Sequence, residues 1–168
     1  MAVTEMKELL THELADLLYA ERRIVTMLGK VIKEVNSPDM KARLEEHRGE
    51  TEGQIQRLER AFESIGEKPK AEKCPGIIGL REEHDSFKQE EKPSKPMLEA
   101  FDLGSGLRVE HYEIAGYRTA IAIATALGEM ECVSILQENL LEEEEMAKFL
   151  EKNAVRALKQ LAGKAKAA

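Results

Sequence analysis

Residues 66–95 read GEKPKAEKCPGIIGLREEHDSFKQEEKPSK, and this stretch decides how the segments on either side of it can pack. It contains three prolines and three glycines, which interrupt regular structure. A hairpin connection between helices needs only ~2–8 residues, whereas this connection has about 30. We therefore expect a crossover that runs the length of a helical bundle, with a short helix over residues 77–89 within it.

Two long helices are predicted on each side of the crossover. Apolar residues recur every three or four positions in four segments, which cover residues 5–35, 38–65, 96–127 and 129–161. Thr4 and Ser37 are expected N-caps of the first two helices, and Gly128 and Gly163 are expected to end the last two. The tight turns within each pair predict antiparallel neighbours. The predicted fold is thus an all-α, ferritin-like four-helix bundle, in which two antiparallel hairpins are joined by the long crossover.

Composition limits the function classes. The 168 residues suit a single domain over 1–168, with a basic, solvated tail at 163–168. A net charge of −7 argues against nucleic acid as a partner, and no apolar run is long enough to cross a membrane. The two cysteines form no CxxC pair, and the N-terminus lacks the apolar run of a signal peptide. We expect a cytoplasmic protein.

Polar side chains fall in phase with the apolar stripes of the first two helices. Residues three and four apart share a helix face. Glu21 lies on the line of Leu17 and Ile24, and it is therefore predicted to point into the bundle. On the second helix, His47 and Glu50 are three apart and place an imidazole and a carboxylate in one inward patch.

The third and fourth helices supply further carboxylates. Glu110 and Glu113 stack on one face of the third helix. On the fourth helix, the acidic run 142–145 spans about 300° of the helix, so at least one of its residues faces inward. The apolar stripe through Leu150 selects Glu143, and either end of the run is an alternative.

These carboxylates are predicted to meet at one level. Glu21 precedes the first turn by about as many residues as Glu50 follows it, and Glu113 and Glu143 each lie 15 residues from Gly128. Buried carboxylates need protons, basic partners or cations, and oxygen ligands with an imidazole suit iron or manganese. We therefore predict a site for one or two metal ions with the candidate ligands Glu21, His47, Glu50, Glu110, Glu113 and Glu143.

The chain also resembles the YciE/YciF family of bacterial ferritin-like proteins. The resemblance covers nearly the whole chain, with its motifs at 18–21, 47–55, Cys74, 109–115 and 142–143. It implies a ferritin- or rubrerythrin-like bundle, a homodimer, a dinuclear metal site and a link to stress responses. Many ferritin-like sites contain Glu-x-x-His on the second and fourth helices. This sequence departs from that pattern, since its second helix has the reversed order and its fourth helix has no histidine.

Three functions are compatible with these patterns. In the first, a di-iron or di-manganese centre reacts with oxygen or peroxide, as an oxidoreductase of peroxidase type would. Glu50 and Glu143 would then bridge the metals, and the imidazole would complete one of them. Glu21 and one of Glu110 and Glu113 would be terminal ligands. In the second, the protein sequesters metal without turnover, and in the third it is a structural helical dimer without metal.

Overall fold

The computed structural model describes residues 3–167, with side chains described as far as residue 163. This part of the chain forms five α-helices and no strand, so the all-α prediction is confirmed. The helices are α1 (Met6–Glu34), α2 (Pro38–Ser64), α3 (Pro75–Glu90), α4 (Lys95–Leu127) and α5 (Met130–Ala167). Helix α3 is the short helix predicted within the crossover. None of the described helices is both long enough and apolar enough to cross a bilayer.

Two predicted helix boundaries are confirmed by local contacts. The Ser37 hydroxyl accepts a hydrogen bond from the Met40 amide at 3.4 Å, and Pro38 occupies the first turn of α2. Gly128 follows the last residue of α4 with φ +78°, a left-handed conformation that glycine adopts without steric cost. These two residues make the sharp turns between consecutive long helices.

The predicted start of the first helix is wrong by one residue. Glu5, not Thr4, is the N-cap of α1. The reason is the Glu8 carboxylate, which accepts hydrogen bonds from the amides of Thr4 at 2.7 Å and Glu5 at 3.1 Å. The Glu8 side chain, at the third position of the helix, thus reaches back to the amide of the N-cap Glu5, as in a capping box.

The predicted end of the last helix is also wrong. Helix α5 continues through Gly163 to Ala167. One glycine costs a helix only ~1 kcal/mol relative to alanine, and the surrounding alanines and lysines are good helix formers. The predicted solvated tail includes Lys164 and Lys166, whose side chains lie outside the described residues, as does residue 168.

The apolar core is divided into two clusters by a polar layer. The first cluster joins the start of α1, the ends of α2 and α4, and the start of α5, and is represented by Leu14, Phe62, Ala120 and Leu136. The second cluster joins the opposite halves of the same helices and is represented by Ile24, Leu44, Val109 and Met146. Because the start of α1 shares a cluster with the ends of α2 and α4, α1 runs antiparallel to both, and α2 and α4 run in the same direction.

The four long helices contact one another in a ring. Helix α1 packs on α2 and α4, α5 packs on the same two helices, and α3 packs on α4. The crossover follows α1 along its length, because the Glu72 amide donates to the Ala15 carbonyl at 3.1 Å and Lys88 Nζ contacts Glu34 at 2.8 Å. The long connection therefore permits the parallel arrangement of α2 and α4.

Candidate metal centre

The polar layer between the two clusters receives side chains from all four long helices. Glu21 on α1, His47 on α2, Glu113 on α4 and Glu143 on α5 are at most 1% exposed, and Glu110 on α4 is 4% exposed. Each lies in phase with apolar neighbours of its helix, which is why burial of the stripe also buries the polar residue. The inward orientation predicted for these five residues is confirmed.

Within the layer, the five side chains form two overlapping groups of three. His47, Glu110 and Glu143 offer one ligand atom each within 4.8 Å of one another, and so do Glu21, Glu113 and Glu143. Glu143 belongs to both groups. If each group of three held a metal ion, Glu143 would be the side chain that the two sites share.

Each of these five side chains has one buried atom without a hydrogen-bond partner. The atoms are Glu21 Oε2, His47 Nε2, Glu110 Oε2, Glu113 Oε1 and Glu143 Oε2. Buried polar atoms in folded proteins are almost always paired, and each unpaired one costs about 1–3 kcal/mol or more when charged. Five such atoms in one layer have the chemistry of a ligand set, because a bound cation would satisfy all of them.

The opposite oxygens of two of these carboxylates are held in place from behind. The Tyr117 hydroxyl donates to Glu21 Oε1 and accepts a hydrogen bond from Asn139 Nδ2 at 2.9 Å. Gln54 Nε2 donates to Glu143 Oε1. Each carboxylate is therefore fixed through one oxygen and offers the other to the polar layer, which is how outer hydrogen bonds commonly orient metal ligands.

Glu50 lies behind His47 and does not join the other five residues. Its Oε2 is 3.0 Å from His47 Nδ1 and 3.0 Å from an Arg43 guanidinium nitrogen. The Glu50 side chain is 22% exposed and belongs to neither group of three. Three residues correspond to 300° of helix, so Glu50 is displaced about 60° from His47 toward the edge of the bundle. The structure places Glu50 where it orients the imidazole of His47. It does not place Glu50 between the two groups of three, where the predicted bridging role would require it.

Burial shifts the acidity of the layer's carboxyl groups. It raises the pKa of Glu21 to about 7, although the hydrogen bond from Tyr117 partly opposes this shift. Burial and the negative charge of neighbouring carboxylates raise the pKa of Glu113 and of Glu143 well above the ordinary value. Without a cation, these groups therefore tend to retain protons at neutral pH.

The imidazole is shifted by its two carboxylate neighbours. Burial alone would lower the pKa of His47, but contacts with Glu110 and Glu50 outweigh burial and raise it to about 9. In turn, the hydrogen bond with His47 and the nearby Arg43 lower the pKa of Glu50. Metal ligation by His47 would require loss of the imidazolium proton, so ligation and protonation compete at this residue.

The two alternatives to Glu143, at either end of the acidic run 142–145, lie outside the polar layer. Glu142 pairs with Arg57 at the partly exposed seam between α2 and α5, and Glu145 is exposed. Glu143 is the buried member of the run, as the apolar stripe predicts. Asn139 was not singled out from the sequence, although it lies one turn before Glu143 and therefore shares its face.

The donor set of the layer fits iron or manganese. Four carboxylates and one imidazole are hard, oxygen-rich ligands that suit these ions better than zinc or copper. The two free cysteines are buried elsewhere in the described part, in the two apolar clusters, and are in neither group. The residues present are thus those expected of a carboxylate-rich metal centre.

Comparison with known proteins places the chain among related bacterial proteins. Protein YciF of Escherichia coli (strain K12) is 30% identical over 144 residues, which cover 85% of this chain and 86% of YciF. The crystal structure of this E. coli stress protein has a TM-score of 0.86 at 28% identity and covers 94% of this chain and 99% of its own. YcfI from Rhodopseudomonas palustris, for which a structural role has been suggested, has a TM-score of 0.84 at 39% identity. The match covers 89% of this chain and 94% of YcfI.

The family assignment follows from the extent of these similarities. Residues 5–163 match a family described as a domain of unknown function, DUF892. That range includes every residue of the polar layer. The chain therefore belongs to the DUF892 family and is a relative of YciF, in agreement with the YciE/YciF resemblance of its sequence.

Proposed function

We propose that this chain is a ferritin-like metal protein with a dinuclear iron or manganese centre. The helix arrangement supports this proposal, since two antiparallel hairpins and a long crossover surround the polar layer. Proteins of that architecture hold their metals between facing helices by inward carboxylates and imidazoles. The facing helices of this chain likewise carry buried carboxylates and one imidazole.

The observation that carries the proposal is the position of Glu143 in both groups of three ligand atoms. In this assignment His47 and Glu110 would hold one metal, Glu21 and Glu113 would hold the other, and Glu143 would bridge. Glu110 and Glu113 would then both be ligands, one for each metal. The unpaired atom on each of these five side chains supports the same assignment.

Charge balance favours two ions over one. Four carboxylates carry four negative charges when deprotonated, and two divalent cations carry four positive charges. His47 would be neutral as a ligand and would leave this balance unchanged. A single divalent ion would leave two buried negative charges, and each uncompensated buried charge costs several kcal/mol.

The proposed chemistry is oxidation linked to oxygen or peroxide. Iron or manganese, when bound, supplies one-electron redox chemistry that no side chain of the layer has. The chain holds the ligands rigidly, since Glu21, His47 and Glu143 are each fixed by an outer hydrogen bond. The apolar clusters on both sides exclude bulk water. We propose that the protein acts under stress, as the description of YciF as a stress protein suggests. We also propose that it is a cytoplasmic homodimer, a state that rests on the expectations from the sequence.

A structural role without metal is the second candidate. It is favoured by the raised pKa values of Glu21, Glu113 and Glu143, because neutral carboxyl groups are tolerated in a protein interior. The role suggested for YcfI points the same way. The convergence of ligand atoms from five side chains in two groups of three weighs against this candidate.

Elemental analysis and rapid mixing test the proposal. Protein purified without affinity metals should contain iron or manganese, and Glu143→Gln should lose it while Glu145→Gln, an exposed neighbour on α5, should retain it. Absence of bound metal from both the purified and the reconstituted wild type would favour the structural role. Mixing the ferrous form with oxygen or peroxide should give rapid oxidation, whereas tight loading without oxidation would indicate sequestration.

A further inference from the structure

Gln54 has a buried oxygen that the ligand assignment does not explain. The residue is 0% exposed and lies on α2 at the level of the polar layer. Its side-chain nitrogen donates to Glu143, but its side-chain oxygen is buried without any hydrogen-bond partner. Unlike the four carboxylates among the proposed ligands, Gln54 carries no charge that a cation is needed to neutralise. Its unpaired acceptor therefore requires a separate explanation.

The orientation of the Gln54 amide is fixed by Glu143. A deprotonated carboxylate only accepts hydrogen bonds, so the NH₂ group must face it. The reversed amide would place two oxygens against each other. The carbonyl oxygen of Gln54 is therefore turned to the side of the shared carboxylate and cannot use Glu143 as its partner.

No described side chain donates a hydrogen bond to this oxygen. The Tyr117 hydroxyl hydrogen is used on Glu21. The Asn139 amide donates to Tyr117 at 2.9 Å and to the main-chain oxygen of Gln54 at 3.3 Å. Carboxylates that ligate metal are deprotonated and also have no hydrogen to give. The described residues therefore offer this oxygen no partner, and a group from outside the chain can supply one.

We propose that the Gln54 carbonyl oxygen accepts a hydrogen bond from a small protic oxygen ligand, water or hydrogen peroxide, that occupies the metal centre. This inference rests on the proposed function and specifies its substrate site. Gln54 would bind the ligand through its oxygen while its nitrogen positions Glu143. The pocket would then discriminate in favour of ligands that carry a hydrogen over ligands of similar size that do not.

The variant Gln54→Met tests this role, because methionine has a similar volume and no hydrogen-bonding amide. Thr51→Val is the matched control. Thr51 is equally buried one turn earlier on α2, and its hydroxyl donates to the His47 main-chain oxygen at 2.9 Å, away from the ligand atoms. Both variants replace a buried polar group on the same helix face, but only Gln54→Met removes the unpaired oxygen.

Water exchange in the Mn²⁺-loaded protein measures the predicted hydrogen bond. Magnetic relaxation of solvent water gives the residence time of water at the metal, and calorimetry gives the affinity for Mn²⁺ and for azide, which carries no hydrogen. Gln54→Met should shorten the water residence time about three- to tenfold, the equivalent of one hydrogen bond. Azide affinity should stay within about twofold by the same reasoning, and Thr51→Val should leave both quantities unchanged.

Each other outcome overturns the inference. Equal water residence times in wild type and Gln54→Met would show that the oxygen holds no exogenous ligand. A change in azide affinity as large as the change in water residence time would show that the substitution acts through Glu143. A gain of one bound water with a large loss of Mn²⁺ affinity would make Gln54 itself a ligand. Failure of the wild type to bind Mn²⁺ or Fe²⁺ would refute the proposed function and, with it, this inference.

Discussion

The Nε2 atom of His47 on α2 lies 3.5 Å from Oε2 of Glu110 on α4, and neither atom has a hydrogen-bond partner. The two helices are not neighbours in the ring of contacts, so this pair spans the middle of the bundle. The other imidazole nitrogen is held at 3.0 Å by Glu50. The ring is thus fixed from outside, and its inner nitrogen faces a carboxylate across the space that a metal would occupy.

Removal of Glu50 should weaken metal binding without changing the number of ions bound. Loss of an outer carboxylate that orients a ligating histidine typically costs 10–100-fold in affinity. Calorimetric titration of Glu50→Ala with Mn²⁺ should therefore show two ions per chain at about that reduced affinity. Glu46→Ala is the control, because Glu46 also contacts Arg43 but is 67% exposed. Loss of a whole ion in Glu50→Ala would instead restore Glu50 as a ligand.

The metal-free protein should become less stable as pH rises from about 5.5 to about 8.5. The pKa of Glu21 is about 7 when folded against an ordinary 4.5, so between these values the unfolded chain releases a proton that the folded chain retains. Stability present at low pH is therefore lost as pH rises. His47 acts in the same direction, because its stabilising proton is present below pH 6.5 and lost as pH passes about 9.

Thermal unfolding with and without Mn²⁺ measures this dependence. The melting temperature of the metal-free protein should be higher at about pH 5.5 than at about pH 8.5. Stabilisation by added Mn²⁺ should increase over the same range, since ligands must lose protons to bind metal. A metal-free melting temperature that rises steadily with pH would show that these groups are not buried together.

Tyr117→Phe should destabilise the metal-free protein. The hydroxyl donates to Glu21 and accepts from Asn139, so its loss leaves two buried groups unpaired. The expected decrease in unfolding free energy is about 1–3 kcal/mol by urea denaturation. Tyr19→Phe is the control, since Tyr19 is half-buried on α1 and outside this network. Equal effects of the two substitutions would disprove the proposed importance of the Tyr117 hydroxyl.

Gly76→Ala should destabilise the crossover, whereas Gly79→Ala should not. A Cβ at Gly76 would lie 2.5 Å from the Tyr112 ring, which is itself held by hydrogen bonds from its hydroxyl to Asp16 at 2.7 Å and with Cys74 at 2.9 Å. Displacement of this ring should cost about 1–3 kcal/mol.

Gly79, the site of the second substitution, lies on α3 like Gly76. A Cβ at Gly79 meets nothing within 4 Å, so alanine there should stabilise α3 by up to about 1 kcal/mol. Urea denaturation of both variants measures the difference. Equal unfolding free energies would mean that the ring of Tyr112 moves aside without cost.

The sequence predicts the burial of Glu21 and Glu143 well, because each interrupts a regular apolar stripe on a long helix. It predicts Glu50 less well, because His47 and Glu50 are three apart and therefore only about 60° apart on the helix. The apolar stripe of α2 does not distinguish which of the two faces the layer. In the structure, Arg43 pairs with the Glu50 carboxylate at 3.0 Å at the edge of the bundle, and Glu50 is therefore outside the polar layer. The periodicity of one helix does not encode which of two residues about 60° apart meets the facing helices.

The hydrogen bonds behind the ligands were the least predictable part of the site. Nothing in the spacing of Tyr117 indicates that its hydroxyl reaches Glu21, 96 residues away in sequence. The end of α5 was missed for a local reason, because a single glycine among strong helix formers does not stop a helix. Metal ligation by the six candidate residues stays a prediction.

Titration of the metal-free protein with Mn²⁺ under anaerobic conditions, with the number of bound ions counted, tests the central claim most directly. The account predicts two ions in the wild type, one tightly bound ion in Glu113→Gln, which alters one group of three, and loss of tight binding of both ions in Glu143→Gln, which alters both. Glu145→Gln should behave as the wild type. Two ions bound by Glu143→Gln with unchanged affinity would contradict the account, because no shared carboxylate would then join the two sites.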